Sequence, residues 1–99
     1  MGVKGVKHDK DKPRNGKFVQ GFVNALIEIG KVDDYGGQQY GYHNWKNVEK
    51  ERYEDAFMRH YLEHLKGEQL DESGYSHLTH AAWNILAILE KTLDKPSKK

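Results

Sequence analysis

Apolar residues recur at helical spacing in three separate stretches of the chain, and this period limits the fold more than any other feature. In the first stretch, Phe18, Phe22 and Leu26 lie one turn apart. The other two stretches show the same spacing, with Tyr53, Phe57, Met58, Tyr61, Leu62 and Leu65 in one and Leu78, Ala82, Ile85, Leu86 and Leu89 in the other. Stripes with a period of about 3.6 residues are typical of amphipathic helices, and no segment alternates long enough to predict a strand. The sequence therefore predicts an all-α fold.

The stripes and the glycines between them give the expected element boundaries. We expect an N-terminal helix at about residues 18–32 and an ordered loop over residues 33–47, which are rich in glycine and aromatic residues. Two further helices are expected at about residues 48–66 and 75–93, where a short polar connection favours an antiparallel hairpin. The predicted architecture is a small helical bundle that contains this hairpin.

The ends of the chain differ in composition from its middle. Residues 1–17 are rich in lysine and predict a basic arm, and residues 94–99 predict a polar tail. A single helical domain is expected between them, over residues 18–93. So short a chain has a thin core, and its wide apolar stripes predict a homo-oligomer.

Composition and charge exclude several classes of protein. The 99 residues include no cysteine, which excludes disulfides, thiolate metal sites and cysteine nucleophiles. No apolar run approaches the roughly 20 residues of a membrane-spanning helix, and no signal-peptide pattern opens the chain. We therefore expect a cytoplasmic protein without a membrane partner. The formal net charge of +1 argues against long duplex nucleic acid as a partner.

Histidines on the two hairpin helices form the most informative constellation. His60 and His64 lie one turn apart on the second helix, and His77, His80 and Asn84 share a face of the third. In an antiparallel hairpin, residue 64 would lie level with residue 77 and residue 60 close to residue 80, so the four imidazoles would face one another. Imidazoles suit zinc, manganese, cobalt or iron, and added carboxylates suit magnesium or manganese. The pattern predicts a divalent-metal site, and the alternative is that the histidines form ordinary interhelical hydrogen bonds.

Other residues have two interpretations each. Arg59 could neutralise a phosphate or form a surface ion pair. Lys12 and Arg14 of the arm could hold phosphate groups or remain solvated. Asn44 and Trp45 could stack on and hydrogen-bond a base, or could pack the loop onto the helices.

Three motifs stand in a definite order, KHDKDKPR, YGGQQYGYHNW and EDAFMRHYLEHLKGEQLDESGYSHLTHAAWNILAILE. In this order they resemble a phage-enriched family of dATP/dGTP diphosphohydrolase domains, over about residues 7–90. That family is similar in its logic to the MazG-like all-α nucleotide pyrophosphohydrolases, in which acidic helical residues hold divalent metal. The resemblance implies hydrolysis of a purine deoxynucleoside triphosphate to monophosphate and pyrophosphate, with Mg²⁺, Mn²⁺ or Co²⁺. It also implies a role in phage nucleotide metabolism within the host cytoplasm.

The resemblance also implies roles for individual residues. It points to a metal site with His60, Asp71, Glu72, His77 and His80, to which the hairpin geometry adds His64. It places Arg59 and Asn84 beside that site, and Lys12, Arg14, Asn44 and Trp45 on the substrate side. One of the carboxylates Glu63, Glu68 and Glu72 would orient or deprotonate the attacking water.

Two other classes of function fit the same residues. A non-catalytic phage protein that captures a nucleotide or a nucleotide-derived signal would need the aromatic loop and the cationic arm, but no metal. A structural interaction domain would use its histidines only to pair the helices.

Overall fold

A computed structural model describes residues 5–94, which fold as helices and connecting turns. The elements, in chain order, are α1 (Asn15–Gly21), α2 (Val23–Tyr40), a short 3₁₀ helix (Asn44–Asn47), α3 (Lys50–Leu65) and α4 (His77–Leu93). Within residues 5–94 there is no strand, and one isolated antiparallel bridge joins Leu70 to Ser76. The all-α prediction is therefore confirmed.

Helices α3 and α4 form the antiparallel hairpin that the apolar period predicts. Lys50 at the start of α3 reaches Thr92 near the end of α4, with Nζ 3.4 Å from Oγ1. At the other end of the hairpin, His60 of α3 contacts His77 at the start of α4. The first turn of α4 is capped by the hydroxyl of Ser76, which accepts a hydrogen bond from the backbone N–H of Thr79 at 3.0 Å.

The predicted N-terminal helix and the loop after it are wrong in their bounds. Helix α1 begins at Asn15, inside the predicted basic arm, and α2 continues to Tyr40, so residues 33–40 are helical. Between α1 and α2 the chain bends at Phe22, which leaves helical geometry. Although glycine disfavours a helix interior, tertiary contacts outweigh that preference here.

These tertiary contacts lie along the second half of α2. The indole N–H of Trp83 on α4 donates to Asp33, with Nε1 3.0 Å from Oδ1. The ring of Tyr35 meets that of Tyr75 edge to face, with centroids 5.9 Å apart. Gly37 is buried because the ring of Tyr42 folds back directly onto it. The second half of α2 is therefore fixed against the hairpin.

A single copy of the chain covers little of its apolar surface. The described residues bury only Val32, Ala81 and Ala87 as core hydrophobic side chains. All side chains from residue 15 to residue 28 are exposed, and the molecule extends over 57 × 42 × 26 Å. Exposed apolar side chains also occur on both hairpin helices. The helices thus present wide apolar faces to solvent.

No helix within residues 5–94 is both long and apolar enough to cross a membrane. The predicted polar tail begins at Asp94, and its remaining residues, 95–99, lie outside the described part of the chain, as do residues 1–4 of the predicted arm.

Candidate functional site

The connection between α3 and α4 folds back over the end of the hairpin that it closes. The backbone N–H of Asp71 donates to the carbonyl of Tyr75, and that of Gly74 donates to the carbonyl of Asp71, both at 2.9 Å. Gly74 has a φ of +92°, a conformation that glycine adopts without a steric cost. These bonds hold the carboxylate of Asp71 above the first turn of α4.

Four side chains then meet in what we call the histidine cluster, defined as His60, Asp71, His77 and His80. The Nδ1 atoms of His60 and His77 lie 2.8 Å apart, so one ring donates a hydrogen bond to the other. The Nδ1 atom of His60 lies 3.9 Å from Oδ2 of Asp71. The ring of His80 stacks on that of His60, with centroids 4.6 Å apart, and its Nε2 lies 3.7 Å from Oδ1 of Asp71.

Burial and hydrogen bonds shift the pKa values of three residues in this cluster. Burial lowers the pKa of His60 to about 4, and the neighbouring His80 adds to the decrease. Burial also lowers the pKa of His80. For Asp71, burial favours a higher pKa, but hydrogen bonds from Ser73 and the nearby histidines outweigh it and lower the pKa. At neutral pH the imidazoles of His60 and His80 are therefore neutral, and the carboxylate of Asp71 is ionised.

The donor atoms of the cluster fit a divalent cation. His60, Asp71 and His77 each offer one ligand atom, and these atoms lie within 4.8 Å of one another. Two imidazoles with one carboxylate suit iron, zinc, manganese or cobalt. Metals require deprotonated ligands, which is the state that burial gives His60 and that Ser73 helps give Asp71. The hydroxyl of Ser73 lies 2.9 Å from Nε2 of His80 and orients that ring.

A groove of about 650 Å³ runs from the histidine cluster along the hairpin. His60, Asp71 and His80 line it, and so do residues of α2 and of the 3₁₀ helix. We call three of the aromatic rings that line it the aromatic triad, defined as Trp45, Tyr53 and Trp83. Trp83 lies between the other two rings and meets each edge to face, at centroid distances of 5.8 Å and 5.7 Å. One cavity is thus lined by both the histidine cluster and the aromatic triad.

Several predicted site residues line this groove: Asn44, Trp45, Arg59, Glu72 and Asn84. Asn84 is buried on α4 and donates through Nδ2 to the carbonyl of His80 at 2.8 Å, one turn earlier. It therefore supports the backbone that carries His80. Arg59 and Glu72 are exposed, and each reaches the groove next to a cluster residue, His60 and Asp71 respectively.

Other predicted site residues lie outside the groove. Glu63 pairs with Lys66, with Oε2 3.6 Å from Nζ, and Glu68 is exposed in the connection. Lys12 and Arg14 lie in the segment before α1, and neither lines the groove.

The expectation that all four hairpin histidines face one another is wrong for His64. Its exposed ring stacks against Tyr61 of the same helix, with centroids 5.9 Å apart. Helix α4 begins only at His77, which contacts His60. His64 lies one turn further along α3, about 6 Å beyond that contact, so no residue of α4 lies opposite it. The register of the hairpin therefore leaves His64 outside the cluster.

Among the residues that line the groove, sequence reasoning gave no site role to Asp33, Arg52, Tyr53 or Trp83. Helical spacing carries a signal for two of them. Trp83 follows His80 by three residues, and Arg52 precedes Arg59 by seven residues, or about two turns, so each shares a face with a predicted residue. Asp33 had no such signal, because it lies in the segment predicted to be a loop.

Comparison with known proteins assigns the chain to a family. The family model described as dATP/dGTP diphosphohydrolase, N-terminal, matches residues 3–99. A curated protein named dATP/dGTP diphosphohydrolase, from Salmonella phage PMBT28, is 33% identical over 94 residues, which cover 94% of this chain. The chain spans 31% of the length of that relative. No solved structure matches the chain. The match to nearly every residue shows that this chain belongs to the dATP/dGTP diphosphohydrolase N-terminal family.

Proposed function

We propose that this chain hydrolyses dATP or dGTP to the monophosphate and pyrophosphate with the help of a divalent cation. One observation carries the proposal: His60 and Asp71, two of the three candidate metal ligands, line a groove that aromatic rings also line. Such a groove offers charged groups for phosphates and aromatic rings for a base. The printed name of the phage relative favours the substrate class.

His60, Asp71 and His77 would hold the cation, and His80 packs against them. Mg²⁺, Mn²⁺, Co²⁺ or Zn²⁺ bound there would make a bound water more acidic and counter the charge of the phosphates. Burial keeps the ring of His60 neutral near pH 7, so protons do not compete for its nitrogen. Two of the three ligands, His60 and Asp71, are thus already in the state that binds a metal.

Arginines supply the positive charge along the groove. Arg52 and Arg59 both line it, and their separation of seven residues corresponds to about 10 Å along α3. One guanidinium group can donate two parallel hydrogen bonds to the oxygens of a phosphate. Here the two arginines would offset the charge that develops on the leaving pyrophosphate. The predicted phosphate contacts of Lys12 and Arg14 remain a prediction for the segment before α1.

Glu72 is the carboxylate that fits the role of general base. It lines the groove next to Asp71, whereas Glu63 is paired with Lys66. In the proposed reaction, Glu72 accepts a proton from water while the water oxygen bonds to the α-phosphorus. The bond from that phosphorus to the α,β-bridging oxygen breaks, and pyrophosphate leaves with the electron pair.

A second candidate function is nucleotide binding without hydrolysis. One observation favours it: the chain spans 31% of the length of its phage relative, so the other part of that relative could carry the reaction. The aromatic triad would then bind a nucleotide without a metal. Binding that survives chelation and leaves the ligand intact would support this candidate.

We also infer that the functional unit is an oligomer of identical subunits. Exposed apolar side chains cover α1 and the first half of α2, including Phe22, which is 51% exposed, and Ile27, which is 54% exposed. They continue on the hairpin, where Leu62 is 58% exposed. A stable interface buries about 800 Å² on each partner, and a second copy of these faces offers matching apolar surface.

A turnover assay tests the proposed function. Protein is incubated with dATP, dGTP, dCTP and dTTP in the presence of Mg²⁺, Mn²⁺ or Co²⁺, and the products are separated by chromatography. We expect purine monophosphates and pyrophosphate, with activity lost in His77→Ala and retained in His64→Ala, the matched variant outside the cluster. Intact nucleotides with every metal, or equal activity in both variants, would contradict the proposal.

A further inference from the structure

The chain leaves two apolar surfaces uncovered. We call the first the N-terminal apolar face, which consists of Phe18, Val19, Phe22, Val23, Leu26 and Ile27 on α1 and the first half of α2. We call the second the hairpin back, which consists of Met58, Leu62 and Leu65 of α3 and Leu78, Ile85, Leu86 and Leu89 of α4. On average these side chains are about half exposed, so contact with another apolar surface would remove a large area from water.

The hairpin back lies on the side of the hairpin opposite the groove. Leu62 stands two residues from His60, and Leu86 stands two residues from Asn84, a separation of about 200° around each helix. His60 and Asn84 both line the groove. A partner on the hairpin back therefore leaves the groove open to a ligand.

The two surfaces are complementary in charge. Arg14 precedes Phe18 by four residues, so a basic side chain begins the apolar row of α1. Glu54 precedes Met58 by four residues, so an acidic side chain begins the apolar row of α3. Glu51 lies one turn earlier on the same side of α3, and all three charged side chains are exposed. Opposite charges therefore meet when α1 lies parallel to α3 of another copy.

The two surfaces also match in length, and together they have the area of a stable interface. The exposed residues 15–28 and residues 51–65 of α3 each extend about 20 Å along their helices. A fully exposed large apolar side chain presents about 150 to 200 Å² to water, so the two half-exposed surfaces together offer about 1,000 Å² per copy. A stable interface buries about 800 Å² on each partner. Both surfaces together exceed that area, and neither reaches it alone.

We propose that the N-terminal apolar face of one copy packs on the hairpin back of a second copy, and that the second copy does the same in return. The proposal rests on the oligomer inferred above and names its interface. Reciprocal exchange covers both surfaces in one closed dimer, whereas pairing either surface with itself leaves the other in water. In this dimer Arg14 lies near Glu54 of the other copy, in place of the phosphate contact predicted for Arg14.

Two charged variants test the exchange. Phe22→Glu places a carboxylate in the middle of the N-terminal apolar face, and Leu62→Lys places an ammonium group in the hairpin back. Both side chains are exposed in a single copy, so each variant keeps the fold, which circular dichroism checks. In the reciprocal dimer, position 22 of one copy meets position 62 of the other at two equivalent places. Either variant alone therefore buries an unpaired charge twice.

An equimolar mixture of the two variants gives the decisive sample. A dimer with one chain of each pairs the two opposite charges at one place and keeps Phe22 against Leu62 at the other. The mixture should therefore assemble although neither variant does so alone. Gln20→Glu is the matched control, because it adds the same charge to an exposed position on the polar side of α1.

Analytical ultracentrifugation at micromolar concentration, in EDTA and without nucleotide, measures the mass of each sample. We expect twice the 11.5 kDa of one chain for the wild type and for Gln20→Glu. Each of the two interface variants should raise the dissociation constant at least about a hundredfold and sediment as a monomer. The equimolar mixture should return to the mass of two chains.

The outcomes identify the surfaces that meet. If only Leu62→Lys dissociates the dimer, the hairpin backs pair with each other, and if only Phe22→Glu does so, the N-terminal apolar faces pair with each other. Either result would overturn the proposal, as would two variants that both remain dimers, a mixture that stays monomeric or a wild-type mass other than two chains. Because no nucleotide is present, a failed assembly leaves the proposed hydrolysis standing, and nucleotides that stay intact in the turnover assay leave the dimer standing.

Discussion

Acid should destabilise the metal-free protein well before its carboxylates are protonated. The cause is His60, whose ring is 10% exposed and whose pKa burial lowers from 6.5 to about 4. The unfolded chain therefore binds a proton at this residue between pH 6.5 and pH 4, and the folded chain does not. The contribution of the neutral His60 to the free energy of unfolding is fully present above pH 6.5 and is lost as the pH falls toward 4.

The magnitude follows from the two pKa values. A difference of about 2.5 between them corresponds to about 3 kcal/mol, of which about 2 to 3 kcal/mol is lost by pH 4.5. Burial of His80, whose pKa is also lowered, acts in the same direction. For a domain of this size, such a loss lowers the melting temperature by about 10 to 20 °C.

Urea unfolding followed by circular dichroism at pH 7.5, 5.5 and 4.5 measures this loss. The samples contain EDTA and one fixed protein concentration, because assembly also contributes to apparent stability. His60→Gln should flatten the pH dependence, and His64→Gln, which lies outside the cluster, should retain it. An unfolding free energy that is equal at pH 7.5 and pH 4.5 would refute the reasoning, as would a flattened profile in His64→Gln.

Three further predictions concern the metal, the fold and the assembly. Mn²⁺ at about one hundred times its dissociation constant should raise the melting temperature by about 10 °C or more, and His77→Ala should abolish this rise while keeping a folded circular dichroism spectrum. A Cβ at position 37 would overlap the ring of Tyr42, so Gly37→Ala should cost about 1 to 3 kcal/mol of unfolding free energy. Its neighbour in the same helix has open space, so Gly36→Ala should be neutral or stabilising, and similar losses in both variants would contradict the packing. Light scattering should give a mass at least twice the 11.5 kDa of one chain, and a monomer at micromolar concentration would contradict the inferred assembly.

The hairpin could be predicted because its signal is local. The apolar period of α3 and α4 persists over their whole length, and the predicted bounds differ from the structure by no more than two residues at each end. The convergence of His60, His77 and His80 follows from the same period once the two helices are paired.

The second half of α2 could not be predicted, because long-range contacts form it. Gly36 and Gly37 disfavour a helix locally, and the contacts that outweigh them come from Tyr42, which folds back, and from Trp83, fifty residues away. For the same reason, neither the site role of Asp33 nor the position of His64 could be predicted, since both depend on where other segments begin and pack.

One measurement tests the central claim most directly. Protein stripped of metal with EDTA and reloaded with Mn²⁺ is given dGTP in ¹⁸O-labelled water, and the products are identified by mass spectrometry. The account predicts pyrophosphate without label and dGMP that carries one ¹⁸O, because water attacks the α-phosphorus. Intact dGTP after reloading, or label in the released phosphates instead of dGMP, would contradict it.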